Sequence, residues 1–215
     1  YTPPRPKFIG RRSFKNYDLS EIVEFLDWTP FFQTWSLFGQ FPAILDDKVV
    51  GEQARKIHVE GQAMLKKIID GRWLTANGMV AFYPANTVNH EDIEVYADES
   101  RSDVLFTWRN LRQQTAKREG VDNKCLADYI APKESGVADY IGMFAVTGGL
   151  GIEKHDQRFL DEGDDYSSIM LKAIADRLAE GFAECLHARV RRDLWGYVPD
   201  ESLSNEGIKI GRAHV

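Results

Sequence analysis

The chain has 215 residues, 43% of them hydrophobic and 28% charged, with a formal net charge of −6. That supplies enough apolar material for one large domain or two small ones, and the well-mixed charges exclude a disordered chain. The acidic balance argues against nucleic acid and anionic membranes as partners, no apolar run approaches the ~20 residues of a membrane span, and no signal or lipidation motif is present, so a cytoplasmic protein is expected.

The opening Tyr1-Thr2-Pro3-Pro4-Arg5-Pro6 reads as an extended linker, reaching to about residue 17. Asp18-Leu19-Ser20-Glu21 resembles a capping box ahead of a short helix carrying Ile22, Val23, Phe25 and Leu26, which ends near Asp27-Trp28-Thr29-Pro30. The aromatic block Trp28, Phe31, Phe32, Trp35, Phe38 and Phe41 reads as core. Val50 to Asp70 is a second helix, with an imperfect apolar stripe and Gly71 as its C-cap. The period then shortens. Gly78–Tyr83, Asp92–Tyr96 and Val104–Trp108 read as strands of an antiparallel meander, and Ile141–Thr147 as a fourth strand ended by Gly148 and Gly149. Gly151 to Gly163 is charged and loop-like. From Asp164 to about Leu194 runs a long helix whose main face carries Met170, Ile174, Leu178, Phe182 and Leu186, with Gly181 as its weak point. Helices at both ends around an antiparallel sheet make an α+β domain.

Residues 207–215 carry no period, and Ile210–Val215 matches the translation of a common sequencing-adapter stretch, so this tail is expected to be non-native and Arg212 and His214 receive no weight. Cys125 and Cys185 fit no C-x-x-C pattern and read as reduced thiols. None of His58, His90, His155, His187 and His214 pairs with another ligand at metal spacing, and no metal site is expected.

Two carboxylate sites stand out. Asp27 lies among aromatics, where it can bind a ligand ammonium or hydroxyl, or else cap nearby backbone amides. Asp176, Glu180 and Glu184 rise one turn at a time opposite the apolar stripe, on the side of Ile169 and Ala173. Like charges at that spacing repel, which points to a ligand or partner surface; the other reading is a solvated face. Gly148-Gly149-Leu150-Gly151 follows a strand but fits no phosphate-loop pattern and reads as a turn, and basic Arg109 to Arg118 lacks the interleaved aromatics of a nucleic-acid site. No hydrolase elbow or zinc-protease motif is present.

Several strings, in order, resemble the C-terminal activation domain of cobalamin-dependent methionine synthase: Asp27-Trp28-Thr29-Pro30-Phe31-Phe32, Leu111-Arg112-Gln113-Gln114-Thr115, Cys125-Leu126-Ala127-Asp128-Tyr129, Ala138-Asp139-Tyr140-Ile141-Gly142, Ala175-Asp176-Arg177-Leu178-Ala179-Glu180 and Leu203-Ser204-Asn205-Glu206. The resemblance covers residues 1–206 and implies a curved, helmet-like α+β domain with a central antiparallel sheet. It implies S-adenosylmethionine (AdoMet) as ligand, held by Asp27 and Glu180, with Asp176 on the side facing the cobalamin domain; no catalytic residue is implied within the chain. The implied activity is reductive methylation of cob(II)alamin, with the cobalamin held by a neighbouring domain and an electron supplied by a flavodoxin or related reductase. The parent methyltransferase moves a methyl group from 5-methyltetrahydrofolate to homocysteine. In the family an R-P-A-P-G-Y-P string follows S-N-E and completes the AdoMet site; here Gly207 onward stands in that place, so the chain by itself is expected to be a truncated, inactive piece that binds AdoMet weakly or not at all. The alternative is a stand-alone reactivation or docking module that caps a corrinoid protein and recruits flavodoxin without catalysis of its own.

Overall fold

The computed structural model describes residues 2–201. In chain order it runs strand β1 (Gly10–Tyr17), helices α1 (Leu19–Val23), α2 (Thr29–Thr34) and α3 (Gly51–Asp70), strands β2 (Thr75–Val88), β3 (Asp92–Tyr96), β4 (Val104–Trp108) and β5 (Asp139–Leu150), then helices α4 (Ile152–Asp161) and α5 (Asp165–Arg189), the last running into a π turn at Val190–Leu194. The strands form one five-stranded sheet in the order β1–β2–β3–β4, with β5 also paired to β2. The meander is antiparallel as expected: Val95 faces Ala85 on β2 and Phe106 on β4, with an irregularity between Val95 and Tyr96. The α+β class read from the sequence is the class observed. The 207–215 tail lies outside the described residues.

By internal packing the chain divides into two units. One is built on Val80–Phe144, together with residues 2–12 and 188–201. Its core gathers Ala85, Ile93, Val95, Cys125 and Ala127, with Tyr83, Ile130 and Ile141 packed against them. Arg101 braces it: the guanidinium donates to Ala85 O, Asn86 Oδ1 and Asp139 O and lies over the rings of Tyr96 and Tyr140. Arg112 donates to both carboxylate oxygens of Asp128, at 2.8 and 2.7 Å, and Asp128 accepts the Cys125 amide. That bidentate contact holds the Asp128 carboxyl well below the usual range, at about 2. The basic stretch from Arg109 is thus committed within the fold, since Arg109 also pairs with Asp92.

The other unit joins Ser13–Met79 to Ala145–His187. The apolar stripe of α5 is buried along its length, Met170, Ile174, Leu178, Phe182 and Leu186 included, as are Ile57, Met64 and Ile68 of α3. Several expectations are corrected here. The stretch read as a linker to residue 17 holds β1 from Gly10. Asp18 caps α1 through the Ser20 amide, but Glu21 accepts from Tyr17 Oη at 2.7 Å and does not close a capping box. Gly71 is the C-cap of α3 as read, with an ordinary right-handed backbone, while Arg72 takes the positive φ. Gly148 and Gly149 do not end β5. They lie within it because a Cβ on Gly148 would sit 2.5 Å from the Ala179 backbone nitrogen, so strand and α5 meet backbone to backbone. The turn falls at Gly151, at φ 92, and the charged stretch after it is helix α4. That helix is held from one side, by Phe159 in the core and by His155 stacked on Trp73 at 4.4 Å. Cys125 and Cys185 are both buried, and Cys185 Sγ lies 3.6 Å from Tyr17 Oη.

Candidate functional site

Asp27 lies in the bend between α1 and α2. Pro30 at the start of α2 has no amide to donate, and Asp27 Oδ1 accepts the Thr29 amide at 2.9 Å. The bend is pinned further by Thr29 Oγ1, which accepts the Phe41 amide at 3.1 Å. Phe31 and Phe32 are fully buried and anchor α2, whereas Trp28 and Asp27 are half-buried. Phe38, read as core with its neighbours, is exposed.

Glu180 and Asp176 are carried by α5. Arg177 lies between them and bonds both, Asp176 through Nη2 and Glu180 through Nη1. The three side chains grade from buried to open: Arg177 is 9% exposed, Glu180 37% and Asp176 72%. Arg177 offsets the like-charge repulsion expected along this face. Its role was not visible from spacing, because a residue next to Asp176 falls off the acidic stripe until its long side chain folds back. The face is not uniformly solvated either: Glu184, one turn on, is 1% exposed.

Gly181 brings the two carboxylate segments together. A Cβ there would lie 3.2 Å from Ile22 Cγ2, 3.3 Å from Ile22 O and 3.5 Å from Leu26 Cδ2. Gly181 is therefore a point of close approach between α5 and the Ile22–Leu26 segment, where a side chain would crowd Ile22. Its neighbours are Glu180 on one side of that contact and, next to Leu26, Asp27 on the other. Asp27 and Glu180, far apart in sequence, are thus the residues next to Leu26 and Gly181 at this contact, Asp27 half-buried and the Glu180 side chain 37% exposed. Among the described residues no group of three His, Cys, Asp or Glu side chains could hold a metal ion. The chemistry on offer is acceptor-only oxygen beside apolar surface, suited to a cationic or hydroxyl-bearing ligand.

Fold and site together define an α+β domain with a carboxylate residue next to each side of the Leu26–Gly181 contact. Across 99% of its length the chain matches a solved structure of the MetH reactivation domain bound to AdoHcy, at TM-score 0.92 and 48% sequence identity, and it spans 64% of that chain. The family model for the vitamin B12 dependent methionine synthase activation domain matches residues 18–212, and the chain belongs to that family. No helix among the described residues is long and apolar enough to cross a membrane.

Proposed function

We propose that this domain binds AdoMet through Asp27 and Glu180 and, within a longer synthase, serves the reductive methylation of cobalamin. The observation that carries the reading is the close approach of Gly181, next to Glu180, to Ile22 and to Leu26, next to Asp27, in a chain 48% identical to a domain solved with AdoHcy. AdoMet would supply an electrophilic methyl group on a sulfonium, with the acceptor cobalamin carried by a neighbouring domain and an electron delivered by a flavodoxin or related reductase. The parent reaction, methyl transfer from 5-methyltetrahydrofolate to homocysteine, belongs to the whole enzyme.

The residues present fit such a ligand. AdoMet carries an ammonium, a sulfonium and two ribose hydroxyls, each of which a carboxylate can meet. Asp27 is oriented in advance by its bond to the Thr29 amide, and Glu180 by Arg177, so neither carboxylate has to be ordered at the moment of binding. Asp27 is half-buried beside Trp28, which limits the water competing for its oxygens. Asp176, open to solvent, is assigned to the side facing the cobalamin domain. Calorimetric titration of the native-length protein tests this reading. Asp27→Asn and Glu180→Gln are each expected to weaken AdoMet by about 1.5 kcal/mol, roughly tenfold, because each removes a charge-assisted hydrogen bond at a half-exposed site. Unchanged affinity in both would remove the assignment and favour a docking surface along α5.

A further inference from the structure

His58 projects from the middle of α3 into a cage of rings contributed by other segments. Its ring meets Trp28 edge to face at 4.7 Å and 89°, and it packs on Phe41 at 5.1 Å and Phe32 at 6.1 Å. Nε2 is buried and has no hydrogen-bond partner among the described residues. Burial also pushes the imidazole pKa down, which keeps the ring neutral at pH 7.

These contacts close a circuit around Asp27. The Asp27 carboxylate accepts the Thr29 amide, Thr29 Oγ1 accepts the Phe41 amide, the Phe41 ring packs on His58, and His58 packs on Trp28, the residue after Asp27. Gly61, one turn along α3, makes room for this arrangement, since a Cβ there would come within 3.2 Å of Trp28 Cζ3. We propose that His58 is a positioning residue: its flat ring fixes Trp28 and Phe41 together and so holds the Asp27 carboxylate in its binding orientation. The proposal rests on the reading that Asp27 contacts AdoMet. It assigns to α3 a part in ligand affinity although no α3 side chain need touch the ligand.

The test uses the native-length protein, AdoHcy as the titrant, and the indole N–H resonance of Trp28, assigned with Trp28→Phe. His58→Gln and His58→Leu remove the ring; His58→Phe keeps it. Gln and Leu are each expected to shift the Trp28 resonance and weaken AdoHcy about fivefold, the scale of one lost aromatic pair, and Phe to restore both. If Gln or Leu lowers thermal stability but leaves the affinity of the folded protein unchanged, while Asp27→Asn still weakens it, His58 is merely core and the inference fails alone. Failure of Phe to restore affinity also overturns it. If Asp27→Asn itself leaves affinity unchanged, the AdoMet reading falls and the inference falls with it.

Discussion

In the unit built on Val80–Phe144, Arg101 has its guanidinium closed on three acceptors, Arg112 grips both oxygens of Asp128, and Arg191 pairs with Glu201 with both side chains largely buried. In the unit that joins Ser13–Met79 to Ala145–His187, Arg177 is buried in the same way, yet the carboxylates it holds reach outward, and the backbones of α1, α5 and β5 approach one another through glycine. The first arrangement spends its charges on fixing loops. The second uses tight backbone packing for rigidity and leaves acidic oxygens at the surface, the condition a ligand site needs.

The sharpest way to break this contrast is at the close approaches. Gly148→Ala drives a methyl into the Ala179 backbone, which cannot move aside as a side chain can, and is expected to cost about 3 kcal/mol in urea unfolding. A loss below 0.5 kcal/mol, on the scale of surface changes, would show that β5 and α5 are not in backbone contact. Next in size are Asp27→Asn and Glu180→Gln, about 1.5 kcal/mol each in AdoMet affinity, with little change in unfolding midpoint because both carboxylates are half-exposed. Asp176→Asn should leave AdoMet affinity within about twofold, given that Asp176 is 72% exposed. A smaller effect is expected at Asp128. Its folded pKa lies below the ordinary carboxylate value, so its contribution is present above about pH 4 and is lost as pH falls toward about 2. Arg112→Met should flatten that part of the acid unfolding curve while leaving neutral-pH ligand binding alone. The smallest is spectroscopic: burial, then the hydrogen bond to Glu60, pushes Tyr166 up to about 12, and Glu60→Gln should move its absorbance titration part of the way back toward 10.

The elements that declared themselves in the sequence were those whose burial follows their own period. The stripe from Met170 to Leu186 and the strand Asp92–Tyr96 carry their patterns in one short window, whereas Val104–Trp108, legible from its β-branched and aromatic residues, leaves Val104, Leu105, Phe106 and Trp108 exposed. β1 and α4 did not, because their support comes from elsewhere. Asn77, in an Asn-Gly pair that would suit a turn, sits within β2, accepting the Asn16 amide and donating its own to Thr147. α4 depends on Trp73 from a distant segment. Glycine misled most. Gly148 and Gly181 looked like a stop and a flaw, whereas both are places where another backbone needs the space. Asp27 and Glu180 were legible as unusual carboxylates, and as a pair through family resemblance. Arg177 and His58 were not, because an arginine one residue from Asp176 and a histidine without metal spacing acquire their roles only from what folding brings beside them.

The most direct test of the central claim is a crystal structure of the native-length protein with AdoHcy bound. The account predicts ligand oxygen or nitrogen atoms within hydrogen-bond distance, roughly 3 Å, of both the Asp27 and Glu180 carboxylates, on either side of the Gly181 contact. Ligand density elsewhere in the fold, with both carboxylates facing only water or Arg177, would contradict it.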